Sequence, residues 1–198
     1  MIHEPSWCER LLTRLAFHTV GKRVYKGFAD ALPVSGGDSV LDFGCGMGTV
    51  AAHIAPRLPN GRLTCVDISR QWMADCRKTL RKHANVSFLR GEIDRLALSP
   101  ASYDLVYCHF VLHDLTEAAL QRSLPALSAL LKPGGTLVFR EPLEDGEAIR
   151  RVQVLAEQCG LRRLRSSITD VPLMGTVLEN TYEKTREDQE GMGVERDV

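Results

Sequence analysis

The sequence predicts an α/β fold, a mostly parallel sheet with helices on both faces. Three observations predict it. Short apolar runs of strand length recur at 39–43, 62–67, 86–90, 103–108 and 136–140. Stretches with apolar residues at helical spacing separate them, and such alternation builds βα units whose helices cover both faces of a sheet. A glycine turn, Gly44-Cys45-Gly46-Met47-Gly48, follows the first run and opens into a helical stretch. That is the strand–turn–helix layout of a nucleotide-type ligand site.

Residues 6–32 come first and carry two helical stripes, Trp7, Leu11 and Leu15, then Phe17, Val20, Val24 and Phe28, with Gly21 between two helices. They precede the first strand and are expected to cap the sheet or the cleft. Strand one spans 39–43 and a helix 49–58; Pro59-Asn60-Gly61 turns the chain into strand two, 62–67. Ser69 reads as the N-cap of the next helix. Strand three is 86–90, strand four Tyr103 to Cys108. A helix from Thr116 to Lys132 is expected to kink or split at Pro125 and to end at Lys132-Pro-Gly-Gly135, before strand five, Thr136 to Arg140. A helix near 145–159 stops at Gly160. Runs at 162–169 and 175–184 have no helix between them and read as an antiparallel pair. Residues 185–198 hold many charges and no apolar run, and are expected to be a disordered tail. One domain over 1–184 results, with a helical cap at 1–32 and a core at 39–184.

Zero formal net charge gives no general pull toward a polyanion or a membrane surface. No apolar run reaches the roughly 20 residues of a membrane span. The N-terminus lacks the basic start and apolar core of a signal peptide. None of the six cysteines (8, 45, 65, 76, 108, 159) forms a C-x-x-C pair, so no metal site is expected, and they read as reduced thiols of a cytoplasmic protein.

Two acids narrow the ligand. The turn spacing is G-x-G-x-G, and Asp42 stands two residues before the first glycine. A pyrophosphate does not call for a carboxylate there; a positive amine does. Asp67 ends strand two, where an acid reaches ribose hydroxyls. An adenosine carrying an amino acid, S-adenosylmethionine, suits both. Gly44, Gly46 and Gly48 would let the backbone approach it, with Cys45 as a small residue of the turn.

Val40-Leu-Asp-Phe-Gly-Cys-Gly-Met-Gly48 resembles the first motif of the class I S-adenosylmethionine-dependent methyltransferases. Arg90-Gly-Glu-Ile-Asp94 is similar to the family's Gly-Asp-Ala-x-x-Leu, with Glu for Asp. Tyr103 to Leu115 and Lys132 to Phe139 resemble its strand-four and strand-five segments. The resemblance implies a Rossmann-like seven-stranded sheet of order 3-2-1-4-5-7-6 with the last strand antiparallel. It implies that Ile68 covers adenine, that Glu92 and the Ile93 backbone read its edge, and that the His109 carbonyl meets the amino end of the cofactor. His113 and Asp114 fall near substrate or adenine, Arg140 and Glu141 at the catalytic end of strand five, and Tyr25 over the cleft. If a base acts, His113 is the first candidate and His109 the second.

The acceptor is argued partly from absence. No Asn/Asp-Pro-Pro-Tyr or Pro-Cys follows strand four, which disfavours DNA-base chemistry, and no Lys-Asp-Lys-Glu set suggests ribose methylation. The sequence resembles small-molecule members most. The short link 142–145 leaves no room for an inserted lid, so closure is expected from residues 1–30 or from the partner in a homodimer. A protein or RNA acceptor, met by Arg150, Arg151, Arg162, Arg163 and Arg165, is the alternative; a non-catalytic cofactor binder is the second.

Overall fold

The computed structural model describes residues 4–18, 21–144, 146–171 and 174–186. Most of the expected tail, 187–198, and Val20 of the second stripe lie outside the described residues.

The centre of the molecule is β1, Ser39–Phe43, buried along its whole length. It pairs in parallel with β2, Arg62–Asp67, on one side and with β4, Tyr103–His109, on the other. β3, Val86–Arg90, extends the sheet beyond β2; β5, Leu131–Pro142, extends it beyond β4. β7, Gly175–Lys184, joins β5 antiparallel, and β6, Leu161–Val171, closes that edge. The order is 3-2-1-4-5-7-6, as the resemblance implied.

Strand alternation divides the core between the faces. Val40, Leu63, Cys65, Leu105, Tyr107 and Val138 point to one side, against Phe28 and Ala29 of α2 (Gly21–Ala31), Ile54 of α3 (Ala51–Ile54) and Met73 and Cys76 of α4 (Arg70–Thr79). Leu41, Phe43, Val66, Val106, Cys108 and Phe139 point to the other, against α5 (Glu117–Leu130) and α6 (Gly146–Gln158). Each fully buried Leu, Val or Phe contributes about 1.5–3 kcal/mol. α1, Trp7–His18, packs on α2. No helix among the described residues is long and apolar enough to cross a membrane.

Three local expectations change. The helix expected at 49–58 is a single turn, α3, continued by a 3₁₀ turn over Ala55–Arg57. Pro56 lacks the N–H that another α turn requires. α5 runs unbroken through Pro125. Lys132-Pro-Gly-Gly135 already belongs to β5, because Leu131 pairs with Tyr103 and a register shift follows before Leu105.

Candidate active site

The carboxyl ends of β1, β2, β3 and β4 border a cavity of about 620 Å³. Asp42, Gly44, Cys45, Gly46, Asp67, Ile68, Glu92, Ile93, His109, Asp114 and Tyr25 all line it. Gly48, His113, Arg140 and Glu141 do not.

The turn after β1 is shaped by positive φ at Gly44, Gly46 and Gly48. A Cβ on Gly44 would overlap the Val111 side chain, and one on Gly48 would come within 3.0 Å of the Cys76 sulfur. Gly46 differs: nothing lies within 4 Å of its would-be Cβ. Its Cα borders open space in the cavity, so a ligand can meet bare backbone there.

Asp67 organises that backbone. Its Oδ2 accepts from Gly46 N at 2.9 Å and its Oδ1 from Ser69 N at 2.8 Å. Ser69 caps α4, its hydroxyl accepting from Trp72 N at 3.1 Å and donating to Glu4 Oε2 at 2.7 Å. Each carboxylate oxygen of Asp67 keeps a second lone pair for a ligand hydroxyl. Burial raises the Asp67 pKa, and the two N–H donors pull it back.

Asp42 is almost wholly buried, with 3% exposure. Parallel register sets it beside Cys65 on one side and Tyr107 on the other. Burial pushes its pKa well above the usual carboxylate range; the Tyr107 hydroxyl opposes this, and Asp67 adds to it. A cation in the cavity would restore the charge. Tyr107 was not singled out from the sequence; its signal is its place opposite Asp42 in a parallel pair.

Glu92 and Asp94 meet Arg122 of α5, at 3.8 and 3.3 Å, and Glu92 also meets Arg95 at 3.0 Å. Five carboxylates and one arginine therefore line the cavity, which favours a positively charged occupant.

The end of β4 is aromatic. His109 lies 4.4 Å from Phe110, 4.8 Å from Phe28 and 5.6 Å from Tyr25, centroid to centroid. Its Nε2 is buried without a hydrogen-bond partner among the described residues. Burial first and the nearby Arg140 second lower its pKa to about 3, so the ring is neutral at pH 7. Phe110 holds φ of 58°, a left-handed conformation that costs a bulky residue about 1–2 kcal/mol.

His113 and Glu141 lie outside the cavity lining and pair with each other. Glu141 is 1% exposed; its Oε1 accepts from Val111 N at 3.1 Å and Leu112 N at 2.8 Å. Its Oε2 meets His113 Nδ1 at 2.5 Å. This buried carboxylate ties the loop after β4 to the end of β5. Arg140 pairs with Glu179 at 2.8 Å and lies over the Phe28 ring at 4.6 Å.

Residues 40–135 match the family model described as a methyltransferase domain. These residues form a domain of the S-adenosylmethionine-dependent methyltransferase kind. The chain is 33% identical over 141 residues to an uncharacterized 37.1 kDa protein in transposon TN4556 of Streptomyces fradiae, covering 70% of this chain and 39% of that one. It is 29% identical over 104 residues to a malonyl-[acyl-carrier protein] O-methyltransferase of Halalkalibacterium halodurans, covering 51% and 38%. The chain thus spans under two-fifths of the length of these two relatives. The N-methyltransferase NodS of Bradyrhizobium japonicum, solved with S-adenosyl-L-homocysteine, shares the fold at a TM-score of 0.67 and 17% identity, over 85% of this chain and 87% of that one. The cofactor is S-adenosylmethionine, and the site fits it: acidic lining for a sulfonium and an amine, and open space at Gly46 for backbone contact.

Proposed function

We propose that this chain transfers the methyl group of S-adenosylmethionine to a small-molecule acceptor. The observation that carries this reading is one cavity that joins the buried Asp42, the half-buried Asp67, the open Gly46 backbone and an aromatic end under the helical cap. The bound sulfonium supplies an already electrophilic methyl group. Asp67 holds the ribose hydroxyls and Asp42 the amino end, partly through water. Ile68 covers adenine, and Glu92 with the Ile93 backbone reads its edge.

The chain's remaining contribution is orientation and exclusion of water. A histidine with a pKa near 3 is a weak base. His109 Nε2 instead accepts a hydrogen bond from the acceptor's O–H or N–H and aims its lone pair at the methyl group. Tyr25 of α2 and Thr13 of α1 close the cavity over it. His113 acts through Glu141 as a positioning residue.

Two observations favour a small acceptor over RNA. The cavity lining is acidic. Several arginines of the outer face are already committed: Arg151 to Glu147 at 3.2 Å, Arg162 to Glu183 at 2.6 Å and Arg163 to Glu157 at 3.5 Å. Incubation with methyl-labelled cofactor and fractionated cell extract tests the reading. Label in the low-molecular-weight fraction is expected; label only in protein or RNA, or none in any fraction, would overturn it.

A further inference from the structure

Three of the six cysteines meet at one point beneath the glycine turn. The sulfurs of Cys45, Cys65 and Cys76 all lie within 4.8 Å of one another, and all three residues are buried. They arrive from three elements: the turn after β1, strand β2 and helix α4. Cys65 is set beside Asp42 by the β1–β2 register. Cys76 takes the space that a side chain at residue 48 would need. Of the other cysteines, Cys8 is exposed, and Cys108 and Cys159 pack with the core of the opposite face.

We propose that Cys45, Cys65 and Cys76 form a binding site for one thiophilic metal ion, held by three sulfurs. Metal–sulfur bonds of about 2.3 Å set three sulfurs about 4 Å apart, which the cluster meets with little movement. A soft donor set without nitrogen or oxygen selects a soft or borderline ion, Cu⁺, Zn²⁺ or Cd²⁺ in character. Each metal–sulfur bond forms as the thiol releases its proton to solvent; no electron changes hands and no oxidant is needed. Cys45 also lines the cavity, which gives the ion a path from solvent. The bound ion staples the glycine turn to β2 and α4, and this role stands independently of which acceptor is methylated.

Titration of the reduced full chain with Cd²⁺ tests the site. One equivalent is expected to bind, with a sulfur-to-cadmium charge-transfer band, three sulfurs in the X-ray absorption spectrum and a raised Tm. Cys65→Ala and Cys76→Ala are each expected to lower the affinity at least 100-fold, and Cys8→Ser with Cys159→Ser to leave it unchanged. If a core substitution fails to fold, the unmodified chain decides alone: Cd²⁺ should protect residues 45, 65 and 76 from alkylation in peptide maps. Fewer than three sulfurs, protection confined to Cys8 or Cys159, or unchanged affinity in folded Cys65→Ala or Cys76→Ala would overturn the proposal.

Discussion

The carboxyl ends of β1 and β2 and those of β4 and β5 each present a buried carboxylate, yet the two regions use it in opposite ways. Asp42 lies buried with its pKa pushed up, and Asp67 accepts two backbone N–H groups while keeping lone pairs toward the cavity. Glu141 is equally buried, but its oxygens are taken by Val111 N, Leu112 N and His113 Nδ1. A carboxylate at the end of a parallel strand is therefore not a ligand residue by position alone. What separates the cases is whether the protein has already filled its acceptor sites.

That contrast is broken most strongly at Glu141. Glu141→Ala leaves buried N–H groups without an acceptor and is expected to cost about 3 kcal/mol, read by urea denaturation. Asp67→Ala is expected to weaken S-adenosylhomocysteine binding at least tenfold, about 1.4 kcal/mol, read by calorimetry. Asp42→Asn has the smallest effect on the fold and the opposite sign. Its raised pKa means that the folded chain holds a proton which the unfolded chain releases above its ordinary value of 3.8. Stability of the ligand-free protein therefore falls as pH rises from there through the raised pKa. Asp42→Asn removes that loss and is expected to raise Tm by about 2–4 °C at pH 7 while weakening cofactor binding. A lowered Tm at pH 7 would show that Asp42 is not held at a cost.

Much of this contrast was legible on one side only. Asp42 stands beside the glycine turn in the sequence and Asp67 ends the next apolar run, and their strands carry unambiguous apolar runs. Seven strands in the implied order followed. The partners of Glu141 were not legible, because the bond to His113 spans 28 residues and depends on how the loop after β4 folds back over β5. The thiol cluster was hidden for the same reason: spacings of 20 and 11 residues match no short metal motif, and only the β1–β2 register with the inner face of α4 joins them. Helix length failed at Pro56, where local sequence carried the signal, and the early start of β5 failed at Lys132-Pro-Gly-Gly135, where pairing with β4 overrode the local turn preference.

The central claim is that Asp42 of β1 and Asp67 of β2 are reserved for the cofactor and that Glu141 of β5 is reserved for the fold. S-adenosylhomocysteine affinity, measured by calorimetry on Asp67→Asn and Glu141→Gln at a temperature where both are folded, tests it most directly. The expected result is at least a tenfold loss for Asp67→Asn and a change under twofold for Glu141→Gln. Unchanged affinity for the first, or a tenfold loss for the second, would contradict it.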